Sequence, residues 1–301
     1  LPLISILLIV LSAVTHASWN LFAKKDKSSI SYFFLSNVAG LLVFSPILFL
    51  FYNKLTYIPH NVWVLVFITG FFQAIYYSSL AYAYQKGEMS FVYPVVRSLP
   101  VLIIILFMIS TGRVNEISST YILGAVLILL GIFGQSLKEI DINSIWSTNN
   151  NLLLLFSFMA AIGITGYSII DEKALKILKL SDYSFQFTAP LIYMFFEGFS
   201  TSFWLAVQIT FSKKERLNLY NDIKCSKKKY VLTGIGVYFT YLLVLFSMMF
   251  AKNVSYIIAF RQISIPIGAI FGVLILKEKV DTLKIIGISS VFLGLIFVAI
   301  K

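Results

Sequence analysis

The chain has 301 residues, of which 59% are hydrophobic and 12% charged, and its formal net charge is +11. Soluble domains carry about 25% charged residues, so the composition excludes an ordinary soluble globular protein and leaves an all-α membrane protein that crosses the bilayer many times. The positive charge sits in short loops between apolar runs, where it reads as a topology signal in contact with anionic lipid rather than as a nucleic-acid surface. One cysteine, Cys225, and two histidines leave no intrachain disulfide and no structural zinc site.

About 20 apolar residues cross a bilayer as a helix. Ten stretches are predicted to do so: 3–23, 31–52, 62–84, 91–111, 119–137, 151–170, 184–212, 230–250, 256–276 and 282–300. In the first, Ser12, His16, Trp19 and Asn20 follow helical spacing and share one face. A polar face inside a membrane turns away from lipid. It reads as a cavity wall on which His16 hydrogen-bonds or titrates, or as interhelical glue with Trp19 as an interface anchor. The third stretch places Gln73, Tyr76, Tyr77, Leu80 and Tyr84 on one broad face, the sixth holds Tyr167, and the eighth holds Tyr238 and Tyr241. Such tyrosines either line a binding site, where they could cage an amine, or serve as packing and belt residues. Glu197 in the seventh stretch is the clearest acid within a span, a candidate ion-pair partner or, with His16, a candidate proton carrier. Asp171 and Glu172, past the end of the sixth, read as loop charges.

The fourth and ninth stretches each carry one arginine about two turns from their start, Arg97 beside Tyr93, Pro94 and Pro100, and Arg261 beside Gln262 and Pro266. A charge inside a span costs several kcal/mol, roughly 2.5–3.5 on insertion scales. A guanidinium stays protonated on burial and offers a planar fork for carboxylate, phosphate or phosphonate. The alternative is that both snorkel to the nearer interface. Prolines at matching places predict broken helices of the kind that mark binding sites.

The arginines are 164 residues apart, and Gly124 and Gly131 precede Gly287 and Gly294 by 163. The Asn- and Ser-rich segment 138–150 falls between two sets of five stretches. The predicted organisation is therefore one five-helix repeat over 1–137, a linker over 138–150 and a second repeat over 151–301. An odd number of spans per repeat inverts the second copy and places a site between the halves near the midplane. The glycines allow close helix approach. Loops after odd-numbered spans hold twice the Lys and Arg of the others, and 213–229 holds half of that share. The positive-inside rule then places 213–229 in the cytoplasm.

Three local patterns resemble a known family. They are His16-Ala17-Ser18-Trp19-Asn20 followed by Lys24, Tyr93-Pro94-Val95-Val96-Arg97 followed by Pro100, and Phe260-Arg261-Gln262 followed by Leu276-Lys277-Glu278. With the five-plus-five arrangement, they resemble the drug/metabolite transporter superfamily of the EamA type. Within it they are similar to the subgroup with His-Ala-x-Trp-Asn in the first span, some members of which are associated with phosphonate utilisation. The resemblance implies a central cavity lined by spans one, three, four, six, eight and nine, and so places His16, Trp19, Arg97 and Arg261 on it. It also implies an integral protein of a prokaryotic plasma membrane.

Together these readings predict a secondary transporter for a small polar metabolite with an acidic group, an amino acid, another zwitterion or an organophosphonate. Its expected binding residues are His16, Trp19, Asn20, Tyr76, Tyr77, Tyr93, Arg97, Tyr167, Tyr238, Tyr241, Arg261 and Gln262. No nucleotide-binding loop is present, no cofactor or metal is expected, and the expected partners are the substrate and membrane lipid. The alternatives are export of cationic or drug-like compounds and, in other classes, a membrane-embedded enzyme or a structural membrane protein.

Overall fold

The computed structural model describes residues 3–110, 112, 118–139, 148–181, 188–224, 227–250, 261–279 and 281–299. They form helices, with no strand among them. The first half runs α1 (Leu3–Lys25), α2 (Ile30–Phe44), the short α3 (Pro46–Leu50), α4 (His60–Lys86), α5 (Met89–Ser110) and α6 (Ser119–Glu139). The second runs α7 (Thr148–Ser181), α8 (Ala189–Phe211), α9 (Lys213–Lys224), α10 (Lys228–Phe250), α11 (Ser264–Leu274) and α12 (Thr282–Ala299). Turns of 3-10 helix occupy Tyr52–Tyr57 and Arg261–Ile263. Among the described residues, five segments are long and apolar enough to cross a membrane: Leu3–Lys25, Ile30–Leu50, His60–Lys86, Asn151–Ser181 and Lys228–Met248.

Many polar side chains are buried among the apolar core while many large apolar ones face outward, unlike a soluble protein. In α1, Ser5, Ser12, His16 and Asn20 are buried while Leu3, Leu7, Leu11 and Val14 are exposed. That split follows the 3.6-residue period and suits a lipid exterior. Local signals set several ends. Ser29 caps α2 by accepting from the Tyr32 amide at 3.0 Å, and α4 stops at Gly87.

Helix pairings are specific. α1 lies along α10, and α4 along α7; α2 packs on α10, and α8 on α4; α1 meets α11, and α7 meets α5. Cross-pairs join α2 to α8, α5 to α11 and α6 to α12. In the last pair the backbones touch. A Cβ on Gly131 would stand 2.6 Å from the Gly287 carbonyl oxygen, and one on Gly294 would stand 2.5 Å from that of Gly124.

Several expectations need correction. The sixth span does not end at residue 170, because α7 continues to Ser181 and carries Asp171 into the interior. The basic segment 213–229 is largely helical. α9 turns Leu217, Tyr220 and Ile223 outward and buries Glu215, which accepts from the Ser31 amide at 3.2 Å. α5 is continuous through Pro94 and Pro100 rather than broken. Ser98 there donates to the Pro94 carbonyl at 2.7 Å. The expected start of the ninth span at 256, Cys225, and the centre of the 138–150 linker lie outside the described residues.

Candidate functional site

A cavity lies between α1, α2, α4, α7, α8, α10 and the turn at Arg261, with ≈ 490 Å³ of empty space counted to its open side. The wall from α1 is His16 and Trp19, from α4 Gln73, Tyr76 and Tyr77, and from α7 Tyr167. α8 contributes Met194, Glu197 and Gly198, and α10 contributes Val237, Tyr238, Thr240 and Tyr241. Asn37 of α2 and Arg261 complete the lining.

The structure thus brings His16, Trp19, Tyr76, Tyr77, Tyr167, Glu197, Tyr238, Tyr241 and Arg261 to one space. Asn20, Tyr93 and Arg97 stand behind it. The Tyr93 hydroxyl lies 2.7 Å from His16 Nδ1, and Asn20 Nδ2 lies 3.1 Å from the same atom. Asn20 Oδ1 in turn accepts from the Tyr84 hydroxyl at 2.8 Å. The Asn20 amide nitrogen can only donate, so in a neutral imidazole Nδ1 accepts and the ring proton sits on Nε2. The Gln262 side chain lies outside the described residues.

Trp19, Tyr77 and Tyr76 form a continuous aromatic surface. Trp19 packs on His16 at 4.9 Å between ring centres and on Tyr77 at 6.3 Å, and Tyr76 and Tyr77 are 5.0 Å apart. Phe33 closes it from behind, 5.1 Å from Tyr77.

Both arginines are interior, Arg97 4% exposed and Arg261 7%. Neither snorkels. Arg97 Nη2 donates to the Arg261 carbonyl at 3.3 Å, and its Nε has no partner. Among the described residues neither guanidinium is within ion-pair distance of a carboxylate; the ion pair seen there joins Lys284 to Glu88.

The acids lie elsewhere. Glu197 is 1% exposed. It accepts from Gln73 Nε2 through Oε1, and its Oε2 has no partner. The expected pairing of Glu197 with an arginine is therefore replaced by a neutral amide. Asp171 is 2% exposed and is not a loop charge. Its Oδ1 accepts from Thr69 at 2.6 Å and Tyr193 at 2.8 Å, and its Oδ2 accepts from Tyr241 at 2.6 Å. Glu172, one residue on, is exposed, as a surface charge should be.

Sequence reasoning missed Asn37, Met194, Gly198, Val237 and Thr240. Asn37 donates to the Gly198 carbonyl at 2.9 Å and to Ser202 at 3.0 Å. The adjacent Ser36 and Asn37 in an otherwise apolar run are the available signal. Thr240 donates to Thr15 at 2.8 Å and accepts, through its carbonyl, from Ser12 at 3.1 Å. Spans two and seven join the lining, while span four supports it from behind.

Residues 3–137 match the EamA-like transporter family. A search of curated proteins finds no match. Among solved structures, one described as the crystal structure of a protein superposes with a TM-score of 0.59 at 14% identity, over 98% of this chain and 96% of that one; that likeness is one of fold. The chain is an integral membrane protein whose residues 3–137, just under half of its length, are similar to the EamA-like transporter family, a family of membrane transporters.

Proposed function

We propose that the chain is a secondary transporter for a small polar metabolite bearing an acidic group, moved by alternating access. The observation that carries this reading is the pair of buried arginines at one cavity, with no carboxylate within ion-pair distance of either among the described residues. Buried cations without an ion-pair partner cost several kcal/mol, and an anionic group on a ligand offsets that cost. Arg261 on the lining takes the acid directly. Arg97 holds the Arg261 backbone and adds to the positive field. His16 Nε2 adds a neutral donor.

The scaffold in this reading is two inverted five-helix repeats, 1–137 and 151–301, joined by the 138–150 linker. Exchanging the long helices of the first half for those of the second carries the main pairings onto one another: α1–α10 onto α7–α4, α2–α10 onto α8–α4, and α1–α11 onto α7–α5. The cross-pairs map onto themselves. The location that follows is a prokaryotic plasma membrane, with 213–229 cytoplasmic.

Ties cluster at one end of the bundle. Lys24 donates to the carbonyls of Tyr84 and Gly87, both at 2.6 Å, and Glu278 accepts from the amides of Met89 at 2.7 Å and Ser90 at 2.9 Å. Such contacts are a natural gate, since they must part for that end to open.

A screen of purified protein for thermal stabilisation by acidic and zwitterionic metabolites tests the reading. Ligand at one hundred times its Kd stabilises by about 2.7 kcal/mol. Stabilisation confined to compounds without an acidic group contradicts it. A second reading, export of cationic compounds, is favoured by one observation, the unpartnered Glu197 oxygen on the cavity wall.

A further inference from the structure

We infer that α9 is a docking surface for acidic phospholipid, its outward face lying on the headgroups of the leaflet where α8 ends and α10 begins.

A basic loop without structure meets acidic lipid loosely, anywhere along its length. Here helix formation sorts residues 213–224 onto two faces. Glu215, Asn218, Leu219 and Asp222 recur at i, i+3, i+4 and i+7 and turn inward. Both acids of the helix are held on that side. Glu215 accepts from the Ser31 amide at 3.2 Å and from Asn218 at 3.3 Å, and Asp222 accepts from the Ser31 hydroxyl at 2.7 Å. The Tyr230 hydroxyl, at the start of α10, donates to the Asp222 carbonyl at 3.4 Å. α9 is thus tied to the first turns of α2 and α10, which fixes its rotation about its own axis.

The face left outside is cationic and apolar. Lys213, Lys214, Arg216 and Lys224 are exposed, and Leu217, Tyr220 and Ile223 stand exposed among them. Lys227 and Lys228 are exposed as well and extend the positive surface toward α10. Lys224 Nζ lies 3.8 Å from the centre of the Tyr220 ring, so charge and apolar surface are interleaved rather than set apart. That mixture is the signature of a helix lying in a bilayer interface.

Charge and position select the occupant. A second copy of the chain would bring a like-charged face against this one. A nucleic acid in water would answer the cations and leave three large apolar side chains uncovered. Acidic headgroups answer the cations while the acyl boundary beneath them takes Leu217, Tyr220 and Ile223. The outward side of α8 ends in Phe211, and that of α10 begins with Val231 and Leu232, all exposed. The apolar surface that a bilayer covers therefore runs into α9 from both ends.

The test uses the full chain carrying Cys225→Ser and Asn221→Cys, which sets a single thiol on the exposed side of α9 beside the patch and leaves the patch intact. The thiol is labelled with bimane. The protein is reconstituted in vesicles of phosphatidylcholine and phosphatidylglycerol in which one lipid or the other carries a doxyl quencher near its headgroup. One lysine or arginine close to an acidic surface is worth about a factor of five in binding. Quenching should therefore show phosphatidylglycerol preferred over phosphatidylcholine at the label by about fivefold or more. Lys213→Gln, Lys214→Gln and Lys224→Gln together should lower that preference by about fivefold or more. Quenching by neither lipid would put the face away from the bilayer and overturn the inference. Equal quenching by the two lipids would show contact without selection for charge and overturn it too. A preference kept in full by the triple variant would assign the selection to other cations, with the same consequence. The comparison of the two lipids on the labelled chain stands whether or not the triple variant folds.

Discussion

Replacing Asp171 by Ala strips the partner from three hydroxyls on three different helices, Thr69 of α4, Tyr193 of α8 and Tyr241 of α10. Each is a hydrogen bond to an acidic group, worth about 1.5–3 kcal/mol. The three share one acceptor and do not add independently, so the loss of one bond, about 1.5–3 kcal/mol, is the floor. Set against a total stability of about 5–15 kcal/mol, that is a large fraction. Asp171→Asn keeps the shape and one carbonyl acceptor and should fall between. The neighbouring Glu172→Ala, on the exposed side of the same helix turn, should stay within about 0.5 kcal/mol of the parent. Denaturation of the four purified proteins in one detergent ranks them. Tyr193→Phe added to Asp171→Ala should cost less than Tyr193→Phe alone, because its partner is already gone. Indistinguishable midpoints for Asp171→Ala and Glu172→Ala would refute the buried network.

Gly131→Leu and Gly294→Leu should each disrupt the α6–α12 contact, at about 1–3 kcal/mol for overpacking, read as a lowered melting temperature; unchanged melting would place those helices further apart than described. His16→Gln should leave the fold intact while weakening substrate binding or flattening the pH dependence of transport, and parental transport at every pH would remove His16 from the mechanism. Cys225, next to the basic α9, should resist an impermeant thiol reagent on intact cells; strong labelling would reverse the orientation.

How far the sequence carried the reading depends on the kind of signal. The polar stripe Ser12, His16, Trp19 and Asn20 was legible because helical period alone places it, and all four residues are buried. The arginines were legible as interior groups because their cost demands a reason. Asp171 was not, since a first charge after an apolar run resembles the end of a span, and only the packed hydroxyls of α4, α8 and α10 make that acid tolerable inside. α9 was hidden by its lysines, although Leu217, Tyr220 and Ile223 recur on one helical face. The partner of Glu197 was assigned by charge, and geometry supplies Gln73 instead. Which of two polar groups meet across helices is a tertiary fact that no local spacing encodes.

In the proposed function Arg261, supported by Arg97, meets the acidic group of the substrate. The direct measurement is the Kd of an acidic ligand and of its amide on the parent protein and on Arg261→Gln. Losing one charged partner costs about 1.5–3 kcal/mol, roughly 10- to 150-fold in affinity. That loss is expected for the acid and little change for the amide, with Arg261→Lys recovering only part because lysine lacks the planar fork. Equal losses for acid and amide, or an unchanged Kd for the acid in a well-folded variant, would contradict it.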